Sequence, residues 1–571
     1  MKRKTYFPVR EIKNLKEMLE LSDRLFKDLP AFEVKKEDET CTRISYTGFK
    51  TEVDALGTAL ISLGLKDTYI ALIGENRYEW CLSYLAVTNG TGVIVPLDRD
   101  VNDEELENLL KRSRAAAVVF SGKYEQRLND LAQKIPGIKY FINMDNPEDK
   151  DERFLSFQKL LQTGYRLLSS GDRRFLDAVI DAEKISVLLF TSGTTGVTKG
   201  VMLSQRNLCS NVMAISKTLY FDEKDRIMCI LPLHHSYGMM TSVLVPLYRG
   251  FYIGFNESIK YLARNIKDFQ PTVLTLVPLI VENIHKKIWK QIETTGKSGK
   301  IKIAFMVSDF MLKLGIDLRP VLFKDIHSIF GGRLKIVICG AAALDPKVAK
   351  FFRKIGITLL PGYGLTECSP VVSSNTLKHV NECSVGFTLP CFEVKIAADS
   401  GQEIGEILVK GASVMLGYFE DEEGTNRTII DGWLHTGDLG YIDRKGFLYI
   451  AGREKNVIVL QNGKNIYPEA IEDYLNRSEF IVESFVYGEE DQDSKEITIL
   501  AQIVPDLEAI KSTHKKEEFS EAEIYGLISR EIGKVNKTLP SYKQVRHFSI
   551  RHDEFEKTST QKIKRYKVLA G

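Results

Sequence analysis

The stretch VLLFTSGTTGVTKGVMLSQRN, Val187 to Asn207, decides how this chain reads. Val187–Phe190 is an apolar run short enough to be a buried strand. Thr191, Ser192, Gly193, Thr194, Thr195 and Gly196 follow, then Lys199 and Gly200. Glycines let successive backbone N–H groups turn toward an anion at low steric cost. Hydroxyls add donors, and a lysine adds a point charge. Ser204 is placed to cap a helix starting at Gln205. A flexible Gly/Thr turn without a ligand is the bland alternative. The stretch reads as a phosphate-gripping loop, but not the Walker loop. Counting from Gly193, Thr198 stands where that motif needs its second glycine and Gly200 where it needs Ser or Thr.

A chain of 571 residues with 44% hydrophobic and 27% charged residues is long enough for several globular domains. A formal net charge of +2 gives no general attraction to nucleic acid, and no such partner is expected. The eight cysteines include no Cys-x-x-Cys pair, which points to reduced thiols. The basic start, MKRKTYFPVREIKNLKEML, is followed by no apolar run of signal-peptide type, and no stretch reads as a membrane-spanning helix. These features lead to the expectation of a cytoplasmic protein.

Outward from the loop, strand-like and helix-like segments alternate, which argues for α/β architecture with mainly parallel sheets. Residues 1–40 read as helical. Strands are expected at Tyr69–Ile73, Val93–Leu97, Ala115–Phe120, Tyr140–Ile142, Asp225–Pro232, Thr272–Pro278 and Lys335–Cys339, and Asn102 reads as a helix cap. From 385 to 452 short β-like runs and glycines dominate, as in a small β-rich lobe. Gly452-Arg453 reads as a break, so residues 1–452 form a large N-terminal domain and 453–571 a small α+β domain. Between His285 and Lys302 six lysines stand against one acid, Glu293. A solvated helix face is the plain reading of this run. Contact with an anionic membrane or with CoA phosphates is the sharper one.

Three further strings carry chemistry. Gly340-Ala341-Ala342, after an apolar run, lets a flat group lie against the backbone. In Pro361–Glu367, PGYGLTE, Gly362-Tyr363-Gly364 presents an aromatic face suited to a purine, Thr366 a phosphate donor, and Glu367 a carboxylate for a hard cation such as Mg²⁺. In Trp433–Asp438, WLHTGD, Asp438 is an acceptor for two ribose hydroxyls, as acids are in dinucleotide sites.

Together these strings, in this order, resemble the adenylate-forming superfamily of acyl-CoA synthetases, peptide-synthetase adenylation domains and luciferases. The resemblance runs from about Ile44 to Arg565. Leu231–Gly238, LPLHHSYG, and Gly452–Glu472, GREKNVIVLQNGKNIYPEAIE, resemble the long-chain fatty acyl-CoA synthetase branch. Thr198 and Ala470 depart from the commoner Pro and Glu, and Gln561 from a Gly. The resemblance implies two half-reactions: a carboxylate and ATP give acyl-AMP and pyrophosphate, then CoA takes the acyl group and AMP leaves. It implies catalytic roles for Lys562, Lys199, Thr366 and Glu367, with Glu367 on Mg²⁺. It implies nucleotide contacts from Thr191–Gly196, Gly340–Ala342, Gly362–Gly364, Asp438 and Arg453. It places His235, Tyr237, Gly238 and Met239 at the acyl pocket, a hinge at Lys455, and Gly463 beside the pantetheine path. Lys564 is the competitor for the role of Lys562 if the alignment slips by two.

The acid is expected to be apolar, a medium- or long-chain fatty acid, because Leu231–Tyr248 contains no Asp or Glu to pair with an ammonium. An acyl carrier protein in place of CoA, an aryl acid, a P-loop NTPase and a non-catalytic nucleotide binder are the rivals. The Walker mismatch speaks against the third, and the presence of Glu367, Asp438, Arg453 and Lys562 against the fourth.

Overall fold

The computed structural model describes residues 7–35, 40–146, 148–191, 198–398, 400–460, 465–490, 497–557 and 563–570. The chain divides into two compact units. One comprises Met1–Glu393 with Lys410–Leu434, the other Val394–Val409 with His435–Gly571.

Two large sheets build the first unit. In one, eight strands lie in the order Gly417–Tyr418, Lys199–Ser204, Ile185–Thr191, Gly92–Pro96, Thr68–Ile73, Ala115–Phe120, Tyr140–Asn143 and Phe154–Ser156. From Ile185–Thr191 to Phe154–Ser156 the pairing is parallel. The two strands on the other edge are antiparallel. The second sheet has nine strands, with Arg226–Cys229, Val273–Leu276, Ile336–Cys339 and Thr358–Gly364 parallel at its centre. Such strands are covered on both faces, so they read as unbroken apolar runs: every residue of Val273–Leu276 and Ile336–Cys339 is buried.

Helices cover the sheets because their apolar stripes match. Leu106, Leu109 and Leu110 on Asp103–Arg112 and Leu128 and Leu131 on Glu125–Ala132 share a core with Val118 and Phe120. Asn102 Oδ1 caps the first of these, accepting from Glu105 N. At Ser204 the cap is a full box, with Asn207 returning the bond. None of the eight cysteines is in a disulfide, and five of them are buried.

Several expected boundaries move. Residues 30–35 form a strand and not a helix, because Phe32, fully buried, pairs in parallel with Ile253 one strand in from the edge of the nine-stranded sheet. The strand expected over Asp225–Pro232 ends at Cys229, ahead of Pro232, whose missing N–H suits it poorly to a ladder. Pro278 opens a helix, Pro278–Thr294, and so ends the preceding strand at Leu276. Gly452-Arg453 closes the strand Leu448–Arg453, in register with Trp433–Ile442.

The second unit holds a three-stranded sheet, Ile481–Glu490, Ile497–Pro505 and His547–Ile550, under the helices Pro468–Leu475 and Glu521–Asn536. A buried ion pair secures its C-terminal end. Arg565 Nη1 reaches both Glu472 oxygens at 2.7 and 3.0 Å, and its Nη2 donates to Val486 O at 2.6 Å. Val486 N donates to Glu472 Oε1 at 2.7 Å. Burial raises the Glu472 carboxyl, and Arg565 pulls it back down. Removing one partner of a buried pair leaves the other charge stranded, at a cost of about 3–5 kcal/mol. Arg565→Met is therefore expected to speed amide hydrogen exchange across 468–550 while the first unit is unaffected. Unchanged exchange in that range would show that the pair is not a tether.

Candidate functional site

In the first unit, the loop's two strands face each other with Thr191 opposite Lys199, and Thr191 Oγ1 lies 3.5 Å from Lys199 O. Ser192, Gly193, Thr194, Thr195 and Gly196 lie outside the described residues. The Lys199 ammonium sits 4.2 Å from the centre of the Tyr418 ring, a cation–π contact. The Tyr418 hydroxyl donates to Glu367 Oε1 at 3.0 Å. Burial and then Glu367 push the Tyr418 phenol well above its ordinary range, so it stays a donor. One residue back from Glu367, Thr366 Oγ1 accepts from Ser236 Oγ at 3.4 Å. Beside Ser236, the Tyr237 ring packs on Gly340: a Cβ added there would lie 3.2 Å from Tyr237 Cζ.

A continuous track thus joins Lys199, Tyr418, Glu367, Thr366, Ser236, Tyr237 and Gly340, four of the sequence strings in one place. Tyr418 and the linking role of Ser236 escaped the sequence reading. Tyr418 sits in a Gly-Tyr dipeptide with no periodic signal, and only the pairing of Gly417–Tyr418 with Val201–Met202 brings it there.

Backbone geometry supports the same region. Ala341 has φ 79°, a left-handed conformation that costs a non-glycine residue roughly 1–3 kcal/mol and tends to occur at functional sites. Gly364 ends its strand so close to its antiparallel neighbour that a Cβ would meet Pro370 O at 2.0 Å. Gly238 is similar, with Pro232 O at 2.4 Å.

Behind Ser236 lies a small apolar cavity lined by Leu189, Leu203, Leu208, Met239, Met240 and Leu244 among others, with no charged residue. The helix carrying Met239 continues through a π-helical turn, Met240–Leu244, a feature frequent at functional sites. Val243 and Val245 are buried and do not line this cavity. The imidazoles of His234 and His235 lie side by side, ring centres 4.3 Å apart, with His234 Nε2 3.4 Å from Asp98 Oδ1. His235 Nε2 is buried and has no hydrogen-bond partner among the described residues. Burial, then the neighbouring His234, lowers His235 to about 3, so it is a neutral imidazole in ordinary buffers. One donor atom from each of Asp98, His234 and His235 lies within 4.8 Å of the others, a set chemically suited to a divalent cation. Asp98 carried no signal in the sequence.

In the second unit, Arg453 Nε lies 2.7 Å from Asp438 Oδ1, directly across the ladder, and Asp438 is buried. Glu406 orients the approach: it accepts from Gly437 N at 2.9 Å and lies 2.8 Å from His435 Nδ1. Thr436 Oγ1 donates to Ile407 O at 2.7 Å and accepts from Asp438 N at 3.1 Å. Lys455 lies in a short 3₁₀ turn, Glu454–Asn456. Gly463 and Lys562 lie outside the described residues. Lys564, the competitor of Lys562, is engaged by Glu556 Oε1 at 2.7 Å.

Residues 20–419 match the family model of the AMP-binding enzyme, and residues 455–571 that of the AMP-binding enzyme C-terminal domain. Long-chain-fatty-acid–CoA ligase 5 of Rattus norvegicus is 30% identical over 94% of this chain and 84% of its own length. Long-chain-fatty-acid–CoA ligase 1 of Cavia porcellus is 28% identical over 97% of this chain and 85% of its own. Among solved structures, the anthranilate CoA ligase AuaEII in complex with anthranoyl-AMP superposes with a TM-score of 0.77 at 20% identity, covering 99% of this chain and 98% of that one.

The backbone clash at Gly364 gives a direct check on the geometry. Gly364→Ala is expected to cost about 3 kcal/mol, because the obstructing atom is a backbone oxygen that cannot swing aside. A thermal melt within a degree or so of the parent, roughly nil on the usual scale, would show that the two strands are less tightly apposed.

Proposed function

The chain belongs to the AMP-binding enzyme family, as an AMP-forming acid–thiol ligase, and from that premise we propose that it joins a medium- or long-chain fatty acid to CoA at the expense of ATP. The track from Lys199 through Tyr418 to Glu367 and Thr366 is the observation that carries this reading, because it gathers a cation, a carboxylate and hydroxyls where phosphates need them.

In the first half-reaction a carboxylate oxygen of the acid bonds to the α-phosphorus of ATP. The bond from that phosphorus to the bridging oxygen breaks, and pyrophosphate leaves. Charge spreads over phosphoryl oxygens, so the protein's work is positioning and electrostatic matching. Lys199 and Thr366 supply donors on the phosphate side, joined by the loop hydroxyls of Thr191, Ser192, Thr194 and Thr195. Glu367 would hold Mg²⁺, as carboxylates do in nucleotide sites, and the ion would supply positive charge against the phosphates. Tyr418 fixes which Glu367 oxygen is occupied by a protein donor.

Gly340–Ala342 and Gly362–Gly364 flank the base, and Asp438 takes the ribose hydroxyls with Arg453 beside it. Lys562 bridges the acid's carboxylate and the α-phosphate. In the second half-reaction the CoA sulfur bonds to the acyl carbon, the carbon–oxygen bond to AMP breaks, and the thiol proton passes to solvent. Lys455 serves as the hinge between the two steps, and Gly463 leaves room for the pantetheine chain. Lys562→Ala is expected to slow acyl-AMP formation on the order of 10²–10³-fold with ATP affinity retained, as loss of one transition-state donor does. Failure of the same variant to make thioester from supplied acyl-AMP would remove that role.

The absence of Asp and Glu from Leu231–Tyr248 favours an apolar acid over an amino acid, whose ammonium would lack a partner in that segment. Each buried methylene is worth about 0.8 kcal/mol, so kcat/KM should rise several-fold per added carbon until the pocket is full. A pyrophosphate-release series from acetate to palmitate, with benzoate and amino acids alongside and with CoA present or absent, tests both acid and acceptor. A maximum at acetate, benzoate or any amino acid overturns the fatty-acid reading and leaves the adenylation chemistry standing.

A further inference from the structure

The helix Ser298–Lys313, SGKIKIAFMVSDFMLK, has two apolar sides where a surface helix needs one. Its inner side is accounted for. Ile301, Ala304 and Phe305 pack on the core beneath, Ser308 is buried, and Phe305 meets Phe323 with ring centres 5.1 Å apart. On the opposite side Ile303, Met306, Val307, Phe310 and the following Leu314 are exposed by 58, 64, 40, 62 and 60%. The spacing i, i+3, i+4, i+7 and i+11 makes these five one continuous stripe at 3.6 residues per turn. At the same periodicity Lys300 borders the stripe on one side, and Lys302 and Lys313 on the other. None of these three lysines has an ion pair among the described residues. Asp309, the helix's one acid, is taken by Lys354 at 3.2 Å. Exposed Lys286, Lys287 and Lys290 on the preceding helix, Pro278–Thr294, add positive charge next in sequence.

We propose that this face docks on an anionic lipid bilayer, with Ile303, Met306, Val307, Phe310 and Leu314 entering the interfacial region and the bordering lysines meeting headgroup phosphates. An apolar stripe edged with lysines is the pattern of helices that lie in a membrane interface, since long lysine stems let the ammonium groups reach outward while the stripe is immersed. A second copy of the chain fits less well. A two-fold interface sets a patch against itself and would bring the lysines of both copies together. A nucleic acid would engage the lysines and leave the stripe wet. The inference stands apart from the fatty-acid reading, because it needs neither ATP nor an acid.

The test is flotation of the full chain with vesicles of phosphatidylcholine alone and of phosphatidylcholine with an equal part of phosphatidylglycerol. The chain is expected to float with the anionic vesicles and to lose binding as salt rises. Lys300→Glu, Lys302→Glu and Lys313→Glu together should lower partitioning by about fivefold or more per lysine. Met306→Ser with Phe310→Ser should lower it roughly tenfold, with an unchanged thermal melt because both side chains are outside the core. Equal flotation with neutral vesicles, no flotation with either, or flotation unaffected by the variants would overturn the proposal. So would a concentration-dependent dimer, by light scattering without lipid, that the serine pair abolishes.

Discussion

Phosphate chemistry asks a protein to hold positive and negative groups close together without letting them neutralise each other. Tyr418 meets that constraint. Its ring face receives the Lys199 ammonium while its hydroxyl donates to Glu367. A direct Lys199–Glu367 salt bridge would consume both charges and leave neither for a ligand. The phenol separates them, and because burial keeps it protonated it remains a donor at any working pH. The surrounding architecture exists to hold this phenol in place: the edge pairing of Gly417–Tyr418 with Val201–Met202 and the anchoring of Met415 N on Glu367 O at 2.8 Å.

The second unit solves a related problem with a different device. Asp438 and Arg453 do pair directly, across adjacent strands. There the paired state would suit the proposed ribose contact. A ribose offers hydroxyls that both donate and accept, so a carboxylate already oriented by a guanidinium can take the donated hydrogens while the guanidinium supplies donors in return. Glu406 and Thr436 fix the intervening backbone, so Asp438 meets a ligand from a strand and not from a mobile turn. The Glu472–Arg565 pair does the corresponding work for the segment that follows Lys562, anchoring Arg565 in the body of the unit.

Much of this was legible in the sequence for a physical reason. Buried parallel strands leave unbroken apolar runs, and helix caps leave Ser or Asn at fixed offsets, so the strands through 69–142 and the caps at Asn102 and Ser204 stood out. Motif strings named Lys199, Thr366, Glu367 and Asp438 because each sits close to glycines or hydroxyls, and the family resemblance added Arg453. Tyr418, Asp98 and Glu406 had no such surroundings. Each reaches its place by sheet pairing or by a loop that closes across long sequence separation, which no local pattern encodes. The same limit applies to Arg453, whose pairing with Asp438 across the ladder no local pattern encodes.

The helix Ser298–Lys313 shows a third kind of limit. Its lysines were visible as a charge run whose plain reading was solvation. Its apolar residues were too many for a periodic pattern to separate, because both faces carry them. Only the packing of Phe305 and Ser308 against the core shows which apolar residues are spent, and so which remain. Five large exposed side chains on one helix carry a solvation cost that an isolated soluble domain gains nothing by bearing. They stand beside lysines that have no ion pair among the described residues, which is why the proposed bilayer contact accounts for both features of the face. Under the fatty-acid proposal the substrate itself partitions into bilayers, so the proposed bilayer contact would bring the enzyme to its acid.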